Sequence, residues 1–282
     1  MQRVVAALVL LTGCGFQISG GSAPSDAEVD ADAMAPAEDA DLPMDDARID
    51  MPIDAPIERV TNGLVALYTF EETAGTTVED RSGVGTPVDL TVGDANRVTR
   101  ADGRLTITQA TSIMSPDPAT KIVNACRDAD AVTLEAWIVP RVVDASTLTR
   151  IVTLSSSESS LAVTLLAANT HYEFRLDGPM TDTNGLPSLN TAGGTIVLDT
   201  LRHVVLVTAP GGARRIYLDG VQVANDTLGG DLAGWGTTGH RFAVGNEING
   251  NRAWLGTFDL VAVYARALSL AEVQQNFAAG PR

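Results

Sequence analysis

Adjacent acidic residues are the first whose type and spacing could support catalysis. Retaining glycosidases flank one glycosidic bond with two carboxyl groups about 5 Å apart. Within residues 60–282 the closest pairs are Glu71-Glu72 and Glu79-Asp80. Successive side chains of a strand point to opposite faces, so neither pair would direct both carboxylates at one substrate. These pairs do not support a glycoside hydrolase.

Other catalytic arrangements have equally little support. The serine run 155–157 lacks the frame of a nucleophile elbow. His171, His203 and His240 are the only histidines, and no two have the close spacing typical of a metal site. The sequence therefore predicts a protein that is not an enzyme, with a glycan hydrolase as the less favoured alternative.

The residues that flank Cys14 indicate a specific chemistry for it. Arg3 and the amino terminus precede an apolar run over residues 4–11, and small residues follow. A positive start, a short apolar run and small residues before a cleavage point are the parts of a secretory signal. The run is shorter than the roughly 20 apolar residues that span a bilayer. We therefore expect export of the chain beyond the cytoplasm.

The four residues Leu11-Thr12-Gly13-Cys14 resemble the lipobox of bacterial lipoproteins. This resemblance implies a signal peptide over residues 1–13, cleavage before Cys14, and a membrane anchor on the acylated thiol. Gly15 stands where an Asp usually retains lipoproteins in the inner membrane, so a bacterium with two membranes would place the protein in the outer membrane or at the cell surface. An ordinary signal peptide with an incidental cysteine is the alternative.

An acidic segment follows the cysteine. Residues 1–59 carry a net charge of −9 out of the chain's −16, and residues 15–59 are mostly Ala, Asp, Glu and Pro. Low hydrophobicity with self-repelling charge cannot offset the entropy of ordering. Residues 14–59 are therefore predicted to be a disordered tether, with a root-mean-square reach of about 35–40 Å. An acidic calcium-binding repeat is disfavoured because no glycine lies between Gly21 and Gly63.

Residues 60–282 are long enough for one domain with a substantial core. Apolar and β-branched runs alternate with Gly and Asp/Asn turns, a pattern typical of an antiparallel sandwich. The predicted strands lie at 64–70, 104–108, 132–139, 161–166, 172–176, 203–207, 215–218, 221–224 and 242–244. Asp219-Gly220 predicts a hairpin turn. A capping box at Ser269 and Glu272 predicts one helix, at the C-terminal end.

Four segments of this domain resemble the laminin-G-like jelly rolls of the concanavalin-A-like proteins. They are GLVALYTFEE with GTTVEDRSG (63–83), VTLEAWIVP (132–140), RHVVLV with RIYLDGV (202–221), and LGTFDLVAVYARALS (255–269). The resemblance implies an all-β, two-sheet antiparallel jelly-roll sandwich over residues 60–282, with a short C-terminal helix. It indicates the fold well and the function poorly, because this fold hosts lectins, adhesion domains and hydrolases.

The resemblance also implies a structural calcium ion where the first and last strands meet. Glu71 and Asp259 occupy the fitting positions, and Asp80 is a weaker third candidate. Carboxylate oxygens are the ligands that calcium prefers. The alternative is that Asp259 hydrogen-bonds a neighbouring turn.

Two tryptophans are candidates for ligand binding, since sugars stack on exposed rings. Trp235 lies in a glycine-flanked segment, and Trp254 lies beside Arg252. The alternative for each is that its ring closes one end of the sandwich. Trp137 is expected in the core, although Glu135 would share its face of a regular strand. Cys126 is expected to be a small buried residue, left without a partner if Cys14 is acylated.

The combined prediction is a surface-tethered, non-catalytic binding module for a carbohydrate or an extracellular protein. A structural or adhesion component of the cell envelope without a small ligand is the alternative. Acidic net charge without a basic cluster disfavours nucleic acid as a partner.

Overall fold

The computed structural model describes residues 56–143, 147–236 and 239–282. These residues belong to one unit, which covers residues 52–282. Cys14, the signal peptide and nearly all of the predicted tether lie outside the described residues. The tether boundary at residue 59 therefore stays a prediction.

Two antiparallel sheets of eight strands each form the domain, and we call them sheet A and sheet B. In spatial order, sheet A contains β14 (Val221–Asp226), β13 (Arg214–Leu218), β12 (Arg202–Thr208), β7 (Val132–Pro140), β16 (Gly256–Tyr264), β5 (Arg104–Ile107) and β4 (Val98–Ala101), and β1 (Leu64–Tyr68) also pairs with β16. Sheet B contains β11 (Leu189–Asn190), β10 (His171–Leu176), β9 (Ser160–Ala168), β8 (Leu148–Ser157), β15 (Arg241–Val244), β6 (Ile113–Met114), β3 (Leu90–Val92) and β2 (Thr77–Val78). The predicted two-sheet antiparallel sandwich is confirmed.

The main core lies between the two sheets, where alternate residues of the long central strands meet. Strand β7 contributes Leu134, Ala136 and Ile138, all fully buried or nearly so. Strand β9 contributes Val163 and Leu165 from the facing sheet. The side-chain period of two residues assigns one face of each strand to this core and leaves the other face to be covered separately.

All nine predicted strands are present, with ends that differ by a few residues. At the predicted hairpin, Asp219 and Gly220 have φ values of 49° and 77°, as a two-residue turn between right-twisted strands requires. The pattern missed β8, because register shifts near Arg150 and Ser155 interrupt its alternation. The long strand β16 and shorter strands such as β2 and β6 were also not among the nine predicted strands.

The structure contains a helix that the sequence did not predict, α1 (Thr120–Ala129). Its first residue follows Ala119, which makes no side-chain capping hydrogen bond, so the usual start signal is absent from the sequence. Ile122, Val123 and Cys126 form its buried face. Cys126 is fully buried, as expected, and burial raises its pKa to about 12.

The predicted C-terminal helix is confirmed as α2 (Leu270–Ala279), with the capping box at Ser269 and Glu272 in place. A second apolar cluster occupies the outer face of sheet A near this helix, and it includes Trp137, Tyr264, Leu268 and Val273. Phe277 of α2 stacks on Trp137 with ring centroids 5.7 Å apart. The central strands of sheet A are thus buried on both faces. No helix within the described residues is long and apolar enough to span a bilayer.

Candidate functional site

The outer face of sheet B carries polar side chains on three neighbouring strands. Cross-strand pairing aligns them in two rows, because directly paired residues share a face. From β10 across β9 to β8, the rows are Glu173, Leu166 and Arg150, and then Arg175, Thr164 and Thr153. The Thr153 and Thr164 hydroxyls are 2.7 Å apart. This face therefore places two arginines on adjoining rows.

A β-bulge in β8 explains how this arrangement arises. Arg150 pairs with Leu166 and Val152 pairs with Leu165, so Ile151 is the extra residue. An extra residue breaks the strict alternation of side chains. Arg150 and Thr153, three positions apart, consequently share the outer face.

Glu247 forms an ion pair with Arg150 and orients its side chain. Arg150 Nε lies 3.1 Å from Glu247 Oε2, and both side chains are almost completely buried. The other oxygen of Glu247 accepts hydrogen bonds from the Ser155 hydroxyl and from the Ile248 backbone N–H. Both oxygens of this carboxylate are therefore engaged in positioning its neighbours.

Arg175 and Arg252 are held in the same manner, each by one carboxylate. Arg175 Nε lies 3.1 Å from Glu173 Oε2, and its Nη1 donates to Asn184 Oδ1 at 3.2 Å. Arg252 Nη2 lies 2.6 Å from Glu158 Oε1 at the β8–β9 turn. Each guanidinium is thus oriented along one edge, which leaves other N–H groups for a further partner.

These three arginines line one depression of about 420 Å³. We call it the arginine pocket, and its wall residues are Leu148, Arg150, Arg175, Asn184, Leu186 and Arg252, with the β8–β9 turn at its edge. Burial lowers the pKa of Arg150, and the charges of Arg175 and Arg252 lower it further, against the opposing effect of Glu247. The pocket therefore brings together three guanidinium groups, that of the buried Arg150 among them, and each of them is balanced by its own carboxylate.

The loop over residues 177–188 forms one wall of the pocket. Gly185 has a φ of 69°, and a Cβ there would lie 2.7 Å from Arg175 Cβ and from the Leu176 backbone N. Only glycine allows so close an approach in this left-handed conformation. The close contact brings the neighbouring Asn184 against Arg175.

A second polar cluster lies beneath α2, on the outer face of sheet A. The fully buried carboxylate of Glu135 accepts hydrogen bonds from five side chains: Arg59, His203, Trp137, Tyr264 and Asn276. Burial alone would raise its pKa, but His203 and Arg59 outweigh that effect and hold it at about 2. Glu135 and Trp137 do share one face, as a regular strand requires. All five of these hydrogen-bond donors belong to the domain itself. The cluster therefore connects β7, β12, β16 and α2, and it leaves no open surface for a ligand.

The three carboxylates predicted to bind calcium do not form a common site. Asp80 accepts from Lys121 Nζ at 2.5 Å and from the backbone N–H groups of Leu67, Ser82 and Val88. Despite the opposing effect of burial, these contacts lower its pKa. Glu71 is exposed, and its contact is with the Thr69 hydroxyl.

Asp259 is fully buried at an irregular position of β16, where the register with β7 shifts. Its Oδ1 lies 2.7 Å from Arg104 Nε and 3.5 Å from Arg282 Nη2. Two cations already face this carboxylate, as one cation faces Asp80. Among the described residues, no group of three His, Cys, Asp or Glu side chains could hold a metal ion. The proposed calcium ligands therefore do not fit the ion.

The two candidate tryptophans are both interior. Trp254 is 1% exposed and lies against Phe258 with ring centroids 5.0 Å apart. Trp235 is 3% exposed, and its indole N–H donates to the Asp177 carbonyl at 2.8 Å. The prediction that these rings could reach solvent is wrong, because each fills space left by neighbouring elements. A buried ring cannot offer its face to a sugar.

Sequence reasoning missed the arginine pocket. Arg150 and Arg175 each lie within a strand and have large apolar residues within two positions on either side, and these charged residues between apolar ones were the available signal. Charged residues are almost never fully buried unless they are paired. Their position inside strands therefore indicated that other side chains pair with them, although it did not identify those side chains.

Comparison with known proteins agrees with this architecture. A laminin-G-type family model, described as the concanavalin A-like lectin/glucanases superfamily, matches residues 115–274, more than half of the chain. The chain belongs to this superfamily. The matched range contains all three arginines of the pocket. A search of curated proteins finds no significant match.

Solved structures share the fold at low identity. A Trypanosoma rangeli sialidase in complex with 2,3-difluoro-KDN is 18% identical with a TM-score of 0.56 over 76% of this chain. The receptor binding domain of a botulinum neurotoxin C/D mosaic serotype is 15% identical with a TM-score of 0.53 over 77% of this chain. The chain spans 32% of the first protein and 51% of the second. Likeness at this level shows the fold.

Proposed function

We propose that this protein is a surface-tethered, non-catalytic carbohydrate-binding module, and that the arginine pocket is its sugar site. The single observation that carries the proposal is the convergence of Arg150, Arg175 and Arg252 on one depression of about 420 Å³. This volume lies within the range of small-molecule sites. The pocket lies on sheet B, on the face opposite the core.

The pocket combines fixed donors with small apolar surfaces. The guanidinium groups are held by carboxylates before any ligand arrives, so binding orders fewer side chains. Leu148 and Leu186 add apolar contact at the wall. The described wall residues include no aromatic ring, so recognition rests on hydrogen bonds to sugar oxygens.

The state of the nearby carboxylates favours binding over hydrolysis. Glycoside hydrolysis needs one carboxylic acid to donate a proton and a second group to act as nucleophile or base. Glu247 uses both oxygens for internal contacts, and Glu173 is paired with Arg175. These carboxylates position the arginines.

Membrane attachment through an acylated Cys14 completes the proposal, with the acidic segment between Cys14 and the start of the domain at Arg59 as the tether. The charge and composition of that segment support it. Replacing Cys14 by Ser should move the protein from the membrane fraction to the soluble exported fraction. Retention of the variant in the membrane fraction would contradict the anchor.

A glycan array with the purified chain tests the binding function. We expect bound glycans without release of reducing ends, and loss of binding in Arg252→Gln. Arg141 is the matched control, because it is exposed and lies outside the pocket, 3.9 Å from Asp199. Arg141→Gln should bind as the parent does. Absence of any bound glycan would favour an envelope component without a small ligand, and steady release of reducing ends would indicate a hydrolase.

A further inference from the structure

We infer that the arginine pocket selects an acidic sugar, one whose carboxylate or sulfate oxygens accept hydrogen bonds from Arg150 and Arg252. This inference rests on the proposed function of the pocket as a sugar site. It adds the chemical class of the ligand, which neither the fold nor the family specifies.

The first support is an unused donor. Arg150 is 2% exposed, and within the described residues its Nη1 atom has no hydrogen-bond partner. A buried N–H without an acceptor is costly. The nitrogen is shielded from solvent, so it favours an oxygen that reaches it when the pocket wall shifts to open its surface. Arg150 itself belongs to the wall of the pocket.

The second support is the charge around that donor. Burial lowers the pKa of Arg150, Glu247 raises it, and the charges of Arg175 and Arg252 lower it further. Repulsion among the three guanidinium groups therefore persists beside their paired carboxylates. An uncharged hydroxyl could fill the space at Nη1 but would leave this repulsion unchanged. An anionic oxygen accepts the hydrogen bond and also offsets the charge, and hydrogen bonds between charged partners are roughly twice as strong as neutral ones.

The third support is a difference in exposure among the three carboxylates that pair with the arginines. Glu247 is fully buried and Glu173 nearly so, whereas the Glu158 side chain is 40% exposed on the β8–β9 turn. Glu158 contacts Arg252 at 2.6 Å and Asn249 at 3.0 Å. This carboxylate at the pocket edge occupies the place that a ligand anion would take at Arg252. Turning Glu158 outward would expose the donors of Arg252.

Calorimetry of the full chain with three matched oligosaccharides tests the inference. The probes are oligogalacturonate, which is anionic, its fully methyl-esterified form, which is neutral, and a sulfated galactan oligomer. We expect one of the two anionic probes to bind at least about tenfold more tightly than the ester, since a hydrogen bond to a charged group adds roughly that factor. The preferred anionic probe tells whether a carboxylate or a sulfate is the source.

Variants at the pocket edge separate recognition from folding. Arg252 is 29% exposed, so its replacement should leave the fold intact. Arg252→Gln should reduce affinity for the acidic probe about tenfold or more, with little effect on the ester. Glu158→Gln should raise affinity for the acidic probe, because it removes the competing carboxylate. Arg141→Gln should leave all affinities unchanged. Circular dichroism and melting temperature confirm folding of each variant.

The outcomes distinguish this inference from the function on which it rests. Equal affinity for the ester and both anionic probes, with loss of all binding in Arg252→Gln, would overturn the acidic-sugar inference and keep the sugar site. Weaker acidic binding in Glu158→Gln would also overturn it. Failure of every probe and of the glycan array would overturn the proposed function itself.

Discussion

His203 Nε2 lies 2.9 Å from Glu135 Oε1, and both side chains are fully buried beneath the C-terminal helix. With its pKa held at about 2, Glu135 is ionised at neutral pH and can only accept. Nε2 of His203 therefore carries the proton. The pair joins β7 to β12, while Arg59 and Asn276 connect the same carboxylate to the start of the domain and to α2.

Replacing Glu135 by Gln should destabilise the domain by about 3 kcal/mol, because it leaves the largely buried Arg59 without its counter-charge. Urea unfolding followed by circular dichroism measures the loss. Glu79→Gln is the control, since its ion pair with Arg81 at 3.1 Å is exposed and should contribute less than about 1 kcal/mol. Equal stability of the Glu135 variant and the parent would contradict a structural role.

The same carboxylate predicts a specific acid response. Its folded pKa of about 2 lies below the ordinary value of 4.5. The stabilisation is therefore present above pH 4.5 and is lost as the pH falls towards 2, by about 3 kcal/mol in all. Unfolding measured between pH 5 and 2 should show a shallower loss in Glu135→Gln than in the parent. Parallel pH profiles would refute the depressed pKa.

Arg59 and Glu135 should show strong energetic coupling. Arg59→Met alone should cost about 3 kcal/mol, because the carboxylate loses a buried partner. The double variant Arg59→Met/Glu135→Gln should be more stable than the sum of the two single losses implies. Denaturant titration of all four proteins gives the coupling energy. A value near zero would mean that the two residues act independently.

The two buried tryptophans should affect stability and leave ligand binding intact. Trp254→Ala should cost about 3–5 kcal/mol, the usual range for removing a large aromatic side chain from a core. Trp235→Phe should lose less, namely the 2.8 Å hydrogen bond to the Asp177 carbonyl and part of the packing. Under conditions where the variants remain folded, glycan affinity should match the parent. A selective loss of glycan binding in a stable variant would restore the stacking hypothesis.

Calcium should have no effect on stability. Asp80 is paired with Lys121, and Asp259 faces Arg104 and Arg282, so a cation would have to displace existing partners. The melting temperature should agree within about 1 °C between millimolar calcium and excess chelator, since only a bound ligand shifts it. A clear rise in the melting temperature on adding calcium would indicate a metal site elsewhere in the chain.

Local sequence patterns were sufficient to predict most of the strands. Alternating apolar residues predicted nine strands, Asp219-Gly220 predicted the two-residue hairpin turn between β13 and β14, and Ser269 with Glu272 predicted α2. These features depend on neighbours within a few residues, so the sequence displays them directly. Helix α1 was missed because its cap makes no side-chain hydrogen bond, and β8 because a bulge breaks its alternation.

The site depended on contacts that local patterns do not contain. Arg150 and Arg252 are a hundred residues apart in sequence, and Glu158 and Glu247 reach them from two different turns. Trp235 looked available because glycines flank it, yet other segments bury it. Elements that are distant in sequence decide whether a loop residue is buried. The residues that flank it therefore do not predict its burial.

By itself, the sequence determined nine of the strands and, where their alternation is regular, which side chains share a face, because the period of two follows from backbone geometry. It also determined the contrast between an acidic segment and an apolar domain. Only the tertiary structure decided what covers each face. Helix α2 buries Glu135 beside Trp137 on sheet A. On sheet B, one bulge and two turns bring three arginines to a single pocket, because packing brings distant residues together after local geometry has oriented them.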